Sequence, residues 1–200
     1  MAVSIISKKP VSNSDYFLTN LSYIKKNINH FKEHADLAFK RFEFSYGKKS
    51  PTAFYKYYNC VSLLVGSPLY YRMFKDVFKI VRKYSKTKKP LWIQCWLNYH
   101  YEKKLNIISD WHCHPDSLFH GYIAIEPQDT KTVFENYTIE NKIGNVYIGL
   151  SENKHKVISN SPYNKERITI AFDVVNEKKI KDMYNQYGDI DINSSFIPIY

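Results

Sequence analysis

No stretch of this chain comes near eighteen uncharged apolar residues, so the sequence excludes a membrane-spanning helix. Its first ten residues, Met-Ala-Val-Ser-Ile-Ile-Ser-Lys-Lys-Pro, lack the basic-then-apolar order of a secretory signal. Cysteine is scarce. Cys60, Cys95 and Cys113 form an odd, widely spaced set with no CxxC pair, which argues against a disulfide framework and for a reducing, cytoplasmic location. There is no internal repeat and no low-complexity segment. Acidic residues are in the minority, 19 against 29 Lys and Arg, for a net charge of +10. That excess fits an anionic substrate, an acidic protein partner or a solvated lysine surface. Nucleic acid is the weaker candidate partner, because the lysines are scattered and no recognised nucleic-acid motif is present.

What the chain does contain is core-forming material. It is 44% hydrophobic and 16% aromatic, with 18 Tyr in 200 residues, which is globular rather than disordered composition and enough for a real core. Residues 14–42 read as an amphipathic helix capped by Ser14 or Asp15, with Leu21, Ile24, Ile28, Phe31, Ala35, Ala38 and Phe42 at three- and four-residue steps. Residues 52–64 are ambiguous between helix and strand. After Gly66-Ser-Pro68, residues 70–84 read as a second, basic amphipathic helix. Pro90 marks a change of period. Strand-like segments follow at 91–100, 119–126, 132–139, 145–150, 156–159 and 167–175, separated by short turns, and 177–187 read as a terminal helix with an irregular or edge-strand tail. Short strands in this series, with no helices between them, predict an antiparallel barrel or jelly roll. The expected plan is α+β: an N-terminal helical region, 1–89, packed on a jelly-roll domain, 90–200, as one structural unit.

The chemistry-bearing residues concentrate around Trp111-His-Cys-His-Pro-Asp-Ser117. His114 and Asp116 form an H-x-D pair, and His155 and Arg167 follow well separated. Two His and one carboxylate can occupy one face of an iron(II) ion and leave three positions open. A fixed guanidinium can grip a carboxylate with two hydrogen bonds. Alternation along a strand would turn His112, His114 and Asp116 to one face, although Pro115 argues for a strand ending in a loop. Three ligand sets stay open: His114/Asp116/His155, His112/His114/His155, or His112 paired with Asp116. The first is preferred, because an anionic ligand lowers the charge of the ferrous site.

In this order the residues resemble the iron(II)/2-oxoglutarate-dependent oxygenase superfamily, over roughly residues 91–175. The likeness is to branches related to prolyl hydroxylases and to phage and bacterial oxygenases, some of which carry H-x-H-P, as His112-Cys-His114-Pro does here. The resemblance implies a double-stranded β-helix fold, Fe(II) held by His114, Asp116 and His155, and Arg167 bound to the distal carboxylate of 2-oxoglutarate. Thr169 takes the hydroxyl place of an R-x-S motif, Thr132-Val-Phe134 is similar to a strand that often follows the first motif, and Trp96-x-Asn98 to one that often precedes it. Tyr99, Tyr101 and Tyr122 are candidates for the keto-acid end. The implied activity is a dioxygenase, most simply a hydroxylase, that uses oxygen and releases succinate and CO2. A phage-borne member would work in the host cytoplasm.

Simpler roles compete with each element. His120, inside an apolar strand, either lines the pocket or packs with its hydrogen bonds satisfied. Cys113 would point away from the two flanking histidines and is read as structural. His30-Phe-Lys-Glu33-His34 fits the inverted zincin pattern H-x-x-E-H, yet no third ligand is evident and both His flank the buried face. The rival functions are a non-catalytic jelly-roll module that binds nucleic acid or a protein partner, and a zinc hydrolase built on that helix.

Overall fold

The structure is a computed structural model that describes residues 16–46, 64–100, 107–187 and 196–200. Residues 52–63, Cys60 and Tyr101, on which the sequence raises questions, lie outside them. Among the described residues, ten strands form two antiparallel sheets. The larger has the order β1 (Tyr16–Asn20), β7 (Asn145–Leu150), β4 (Phe119–Glu126), β9 (Arg167–Val175), β2 (Leu91–His100) and β10 (Ile197–Ile199). The smaller has the order β3 (Ile107–His112), β8 (His155–Ser159), β5 (Thr130–Phe134) and β6 (Thr138–Glu140). Four helices accompany them among the described residues: α1 (Ser22–Lys26), α2 (Ile28–Tyr46), α3 (Pro68–Ser85) and α4 (Glu177–Tyr187). The architecture is the α+β double-stranded β-helix that the sequence predicts. No helix among the described residues is long and apolar enough to cross a membrane.

Two of the expected boundaries change. Tyr16–Asn20 is a strand, not the first turns of a helix. Its residues Tyr-Phe-Leu-Thr-Asn favour strand, and pairing with β7 along its whole length supplies the backbone hydrogen bonds that a helix would otherwise provide. The helical period begins only at Leu21. The segment 132–139 is a hairpin of β5 and β6 rather than one strand, with Phe134 N bonded to Tyr137 O.

The larger sheet has two distinct faces, and strand alternation creates them. On β2, Leu91, Ile93, Cys95, Leu97 and Tyr99 join a core cluster with Ile24, Phe31, Ala35, Phe39, Tyr70, Phe74 and Val77 of the helices. On β9, Ile168, Ile170, Phe172 and Val174 join the same cluster. Burying each Leu, Ile, Val or Phe side chain of this cluster contributes roughly 1.5–3 kcal/mol. The intervening residues point the other way, between the sheets. Pairing sets Asn98 beside Thr169, Trp96 beside Ala171 and Gln94 beside Asp173 on β2–β9, and His120 beside Asp173 on β4–β9. Gly121 permits this tight stack: a Cβ there would lie 2.2 Å from Phe172 Cζ and 2.4 Å from the backbone oxygen of Tyr147. The helices close one face of the sheet and leave the other to a pocket.

Candidate active site

The pocket between the sheets has a volume of about 320 Å³ and draws Trp96, Asn98 and His100 from β2, His112 and His114 from the end of β3 and just beyond it, His120 and Tyr122 from β4, Thr132 from β5, His155 from β8 and Arg167 and Thr169 from β9. Ligand atoms of His112, His114 and His155 all lie within 4.8 Å of one another. That is close to the span a single ion bridges at ~2.1 Å from each nitrogen. A second group within the same limit is His114, His120 and Asp173.

Local structure explains how the histidines converge. β3 pairs with β8 through register shifts that end with His112 opposite His155. Bulges of this kind re-aim side chains at barrel rims. Beyond His112 the chain turns: Ser117 N bonds His114 O at 3.0 Å, with Pro115 and Asp116 at the corner, and His114 N bonds Ser151 O at 2.9 Å. A turn abolishes the alternation that would have carried Asp116 to the face of His114. Asp116 is exposed and belongs to neither group of candidate ligands.

The hydrogen bonds fix which ring nitrogens are free. His112 Nδ1 donates to Asp110 O at 2.7 Å and His155 Nδ1 to Asn153 O at 3.0 Å, since a carbonyl oxygen only accepts. Asp173 accepts from His114 Nδ1 at 3.2 Å and from His120 Nδ1 at 2.9 Å. Burial pushes the Asp173 carboxyl up, but the two histidine hydrogen bonds outweigh it and hold the group below the usual carboxylate range. Burial, with repulsion from neighbouring imidazoles, lowers His120 to about 4 and His155 to about 2, so both rings are neutral. With each Nδ1 engaged, Nε2 is the nitrogen that His112, His114 and His155 present to a ligand. His114 Nε2 is buried with no hydrogen-bond partner. His114 and His120 stack in parallel, 3.7 Å between centroids and 8° between planes, and Trp96 covers His114 at 5.7 Å.

Arg167 is the second unsatisfied group. It is 4% exposed, its Nε has no hydrogen-bond partner, and burial lowers its guanidinium to about 10. Among the described residues no carboxylate lies within ion-pair distance of it, which is costly unless an anion arrives. Asn98 Nδ2 donates to Thr169 Oγ1 at 3.3 Å, and Asn98 Oδ1 is also buried without a partner. Tyr122 donates to Asn141 Oδ1 at 2.8 Å, and burial pushes its phenol up.

The structure thus gathers His112, His114, His155, Arg167, Thr169, Tyr122 and Asn98 and leaves Asp116 outside. Tyr99 is also outside, because alternation turns it to the helices, where it donates to Asp36 Oδ1 at 2.5 Å and stacks on Phe39. His30 Nε2 bonds Ser67 Oγ at 2.6 Å and His34 Nδ1 bonds His30 O at 3.1 Å, and neither belongs to a candidate metal group among the described residues. The residue that sequence reasoning missed is Asp173. Its signal was a single carboxylate within the otherwise apolar run Arg-Ile-Thr-Ile-Ala-Phe-Asp-Val-Val, on the same alternate face as Arg167 and Thr169.

No family model matches the sequence, and no curated protein matches it. Solved structures do match it in shape. The non-heme α-ketoglutarate-dependent carbocyclase SnoK from nogalamycin biosynthesis superimposes with a TM-score of 0.59 at 9% identity, over 81% of this chain and 79% of that one. The epimerase SnoN, solved with Fe3+, α-ketoglutarate and nogalamycin RO, gives 0.55 at 9% identity over 82% and 80%. The non-heme monooxygenase ThoJ in its apo form gives 0.50 at 11% identity over 76% and 70%. In fold, the chain is similar to non-heme α-ketoglutarate-dependent enzymes.

Proposed function

We propose that this chain is an Fe(II)- and 2-oxoglutarate-dependent oxygenase that hydroxylates a C–H bond of a protein side chain or small molecule. The observation that carries this reading is one pocket in which three imidazoles with free Nε2 atoms share space with a buried arginine that has no carboxylate partner among the described residues. Both defects are filled by one pair of ligands, a divalent metal and a dicarboxylate keto acid. His112, His114 and His155 would hold the metal, and Arg167 would take the distal carboxylate in a bidentate pair. Three imidazole ligands bring no negative charge and would leave the full charge of the ion for an anionic chelator. When bound, iron(II) with 2-oxoglutarate supplies the oxygen activation and decarboxylation that yield succinate and CO2. The chain's own residues do the rest. Asp173 fixes the tautomer and orientation of His114. Asn98 and Thr169 present polar atoms beside Arg167, and Trp96 shields His114 from water. SnoN with its bound Fe3+ and α-ketoglutarate supports the reading through a shared fold.

Anaerobic titration with Fe(II) and 2-oxoglutarate tests it, with the visible charge-transfer band of the chelate and succinate formation as readouts. Folded protein that binds neither ligand refutes the proposal. The ligand set is read from variants: His112→Ala and His155→Ala should lose the band, whereas Asp116→Ala should keep it. The opposite result restores the H-x-D triad. The exposed position of Asp116 also favours a second reading, a jelly-roll module that binds metal and an anion without turnover. Tight binding of both ligands with no succinate in air would establish that alternative.

A further inference from the structure

Tyr122, which lines the pocket, is the first of a connected series of tyrosines. Its ring centroid lies 5.3 Å from that of Tyr147, its cross-strand partner. Tyr147 is 5.8 Å from Tyr16, and Tyr16 stacks on Tyr137 at 4.4 Å. The hydroxyls of Tyr137 and Tyr147 are hydrogen-bonded at 3.1 Å. Phe134 fills the angle between this series and the site, 5.3 Å from His155 and 4.9 Å from Tyr147. Tyr122 and Tyr147 are buried, while Tyr16 and Tyr137 are half-buried. The series therefore begins at the wall of the pocket and finishes where solvent can take a proton. Packing alone would accept phenylalanine at these positions, as it does at Phe134. A phenol, unlike a phenyl ring, gives up an electron together with a proton at accessible potentials.

We propose that Tyr122, Tyr147, Tyr137 and Tyr16 form a relay that discharges the site when oxygen is consumed without a prime substrate. This rests on the oxygenase reading. With iron(II) bound, conversion of 2-oxoglutarate and oxygen to succinate and CO2 would leave two oxidising equivalents in the site, which need two electrons and two protons to reach water. Tyr16 and Tyr137 each supply one electron through Tyr147 and Tyr122, and each releases its phenolic proton to solvent. Two protons taken up at the pocket complete the water. A small reductant such as ascorbate then returns one electron and one proton to each phenoxyl.

The test uses the full chain with Fe(II), 2-oxoglutarate and oxygen, without prime substrate or ascorbate. Freeze-quench electron paramagnetic resonance and peptide mass mapping are read beside succinate in the same samples. The relay predicts a tyrosyl signal that ascorbate removes, and oxidation mapped to Tyr16 and Tyr137. Tyr147→Phe, which keeps the ring, should still form succinate and lose oxidation at both outer tyrosines. The less buried pair Tyr16→Phe/Tyr137→Phe gives a second check, with the signal lost or moved inward to Tyr147. Succinate without a tyrosyl signal, oxidation confined to Trp96, or an unchanged signal in Tyr147→Phe overturns the relay alone. Absence of succinate overturns the oxygenase reading and the relay with it.

Discussion

Replacing Asp173 by asparagine preserves its shape and removes its charge. The amide oxygen can accept from only part of what the carboxylate serves, so either His114 or His120 loses its orienting bond. Metal affinity is expected to fall by about 10–100-fold, the usual effect of losing a carboxylate behind a ligating histidine. Competition against a chromophoric chelator measures it. Arg167→Met acts in the other direction on stability. It removes a buried charge that has no carboxylate partner in the described structure, so the ligand-free protein should unfold at a higher denaturant midpoint. The same variant should no longer be stabilised by 2-oxoglutarate. If the substitution instead destabilises the free protein, the guanidinium has a structural counter-charge and the proposed cosubstrate role weakens.

At the scale of elements, β4 depends on Gly121, where an added Cβ would meet backbone as well as the Phe172 ring. Gly121→Ala should cost roughly 1–3 kcal/mol in urea unfolding, because overpacked cores must shift their backbone. It should also displace His120 and Tyr122 on either side, and so weaken ligand binding more than stability alone predicts. Helix α3 begins at Ser67, whose hydroxyl accepts from Tyr70 N at 3.4 Å and meets His30 Nε2 at 2.6 Å. Ser67→Ala should cost about 0.5–2 kcal/mol as a lost N-cap, with no change in the metal site. Most of these elements were legible in the sequence, since β2, β4, β7, β9 and α3 each carry an unbroken period. The boundary at Tyr16–Asn20 was not, because its fate depends on β7, which lies far along the chain. The hairpin within 132–139 was blurred for a similar reason: each half is too short to show a period of its own.

For the whole molecule, the proposed metal and keto acid would bind a pocket that only the folded chain assembles, from β2, β3, β4, β8 and β9. Each ligand at 100 times its dissociation constant should therefore stabilise the fold by about 2.7 kcal/mol. A thermal-shift series with Mn(II), alone and with 2-oxoglutarate, should show the transition rise in two steps, and a chelator should reverse both. A shift from 2-oxoglutarate that is independent of metal would separate Arg167 from the histidines as an anion site in its own right. The sequence by itself determined the material of the site: the histidines, Arg167 with Thr169 in register, and an antiparallel strand series to hold them. Alternation along a strand is a local rule, so the spacing alone puts Arg167 and Thr169 of β9 on one face, whereas Asn98 joins them only through the pairing of β2 with β9. Only the tertiary structure decided which carboxylate stands with the histidines. The turn at Pro115 breaks alternation and carries Asp116 into solvent, while pairing of β9 with β2 and β4 sets Asp173 behind His114. A turn is set by its backbone hydrogen bonds to distant strands, and a partner across a sheet by register, and neither is written within the seven residues that carry the motif.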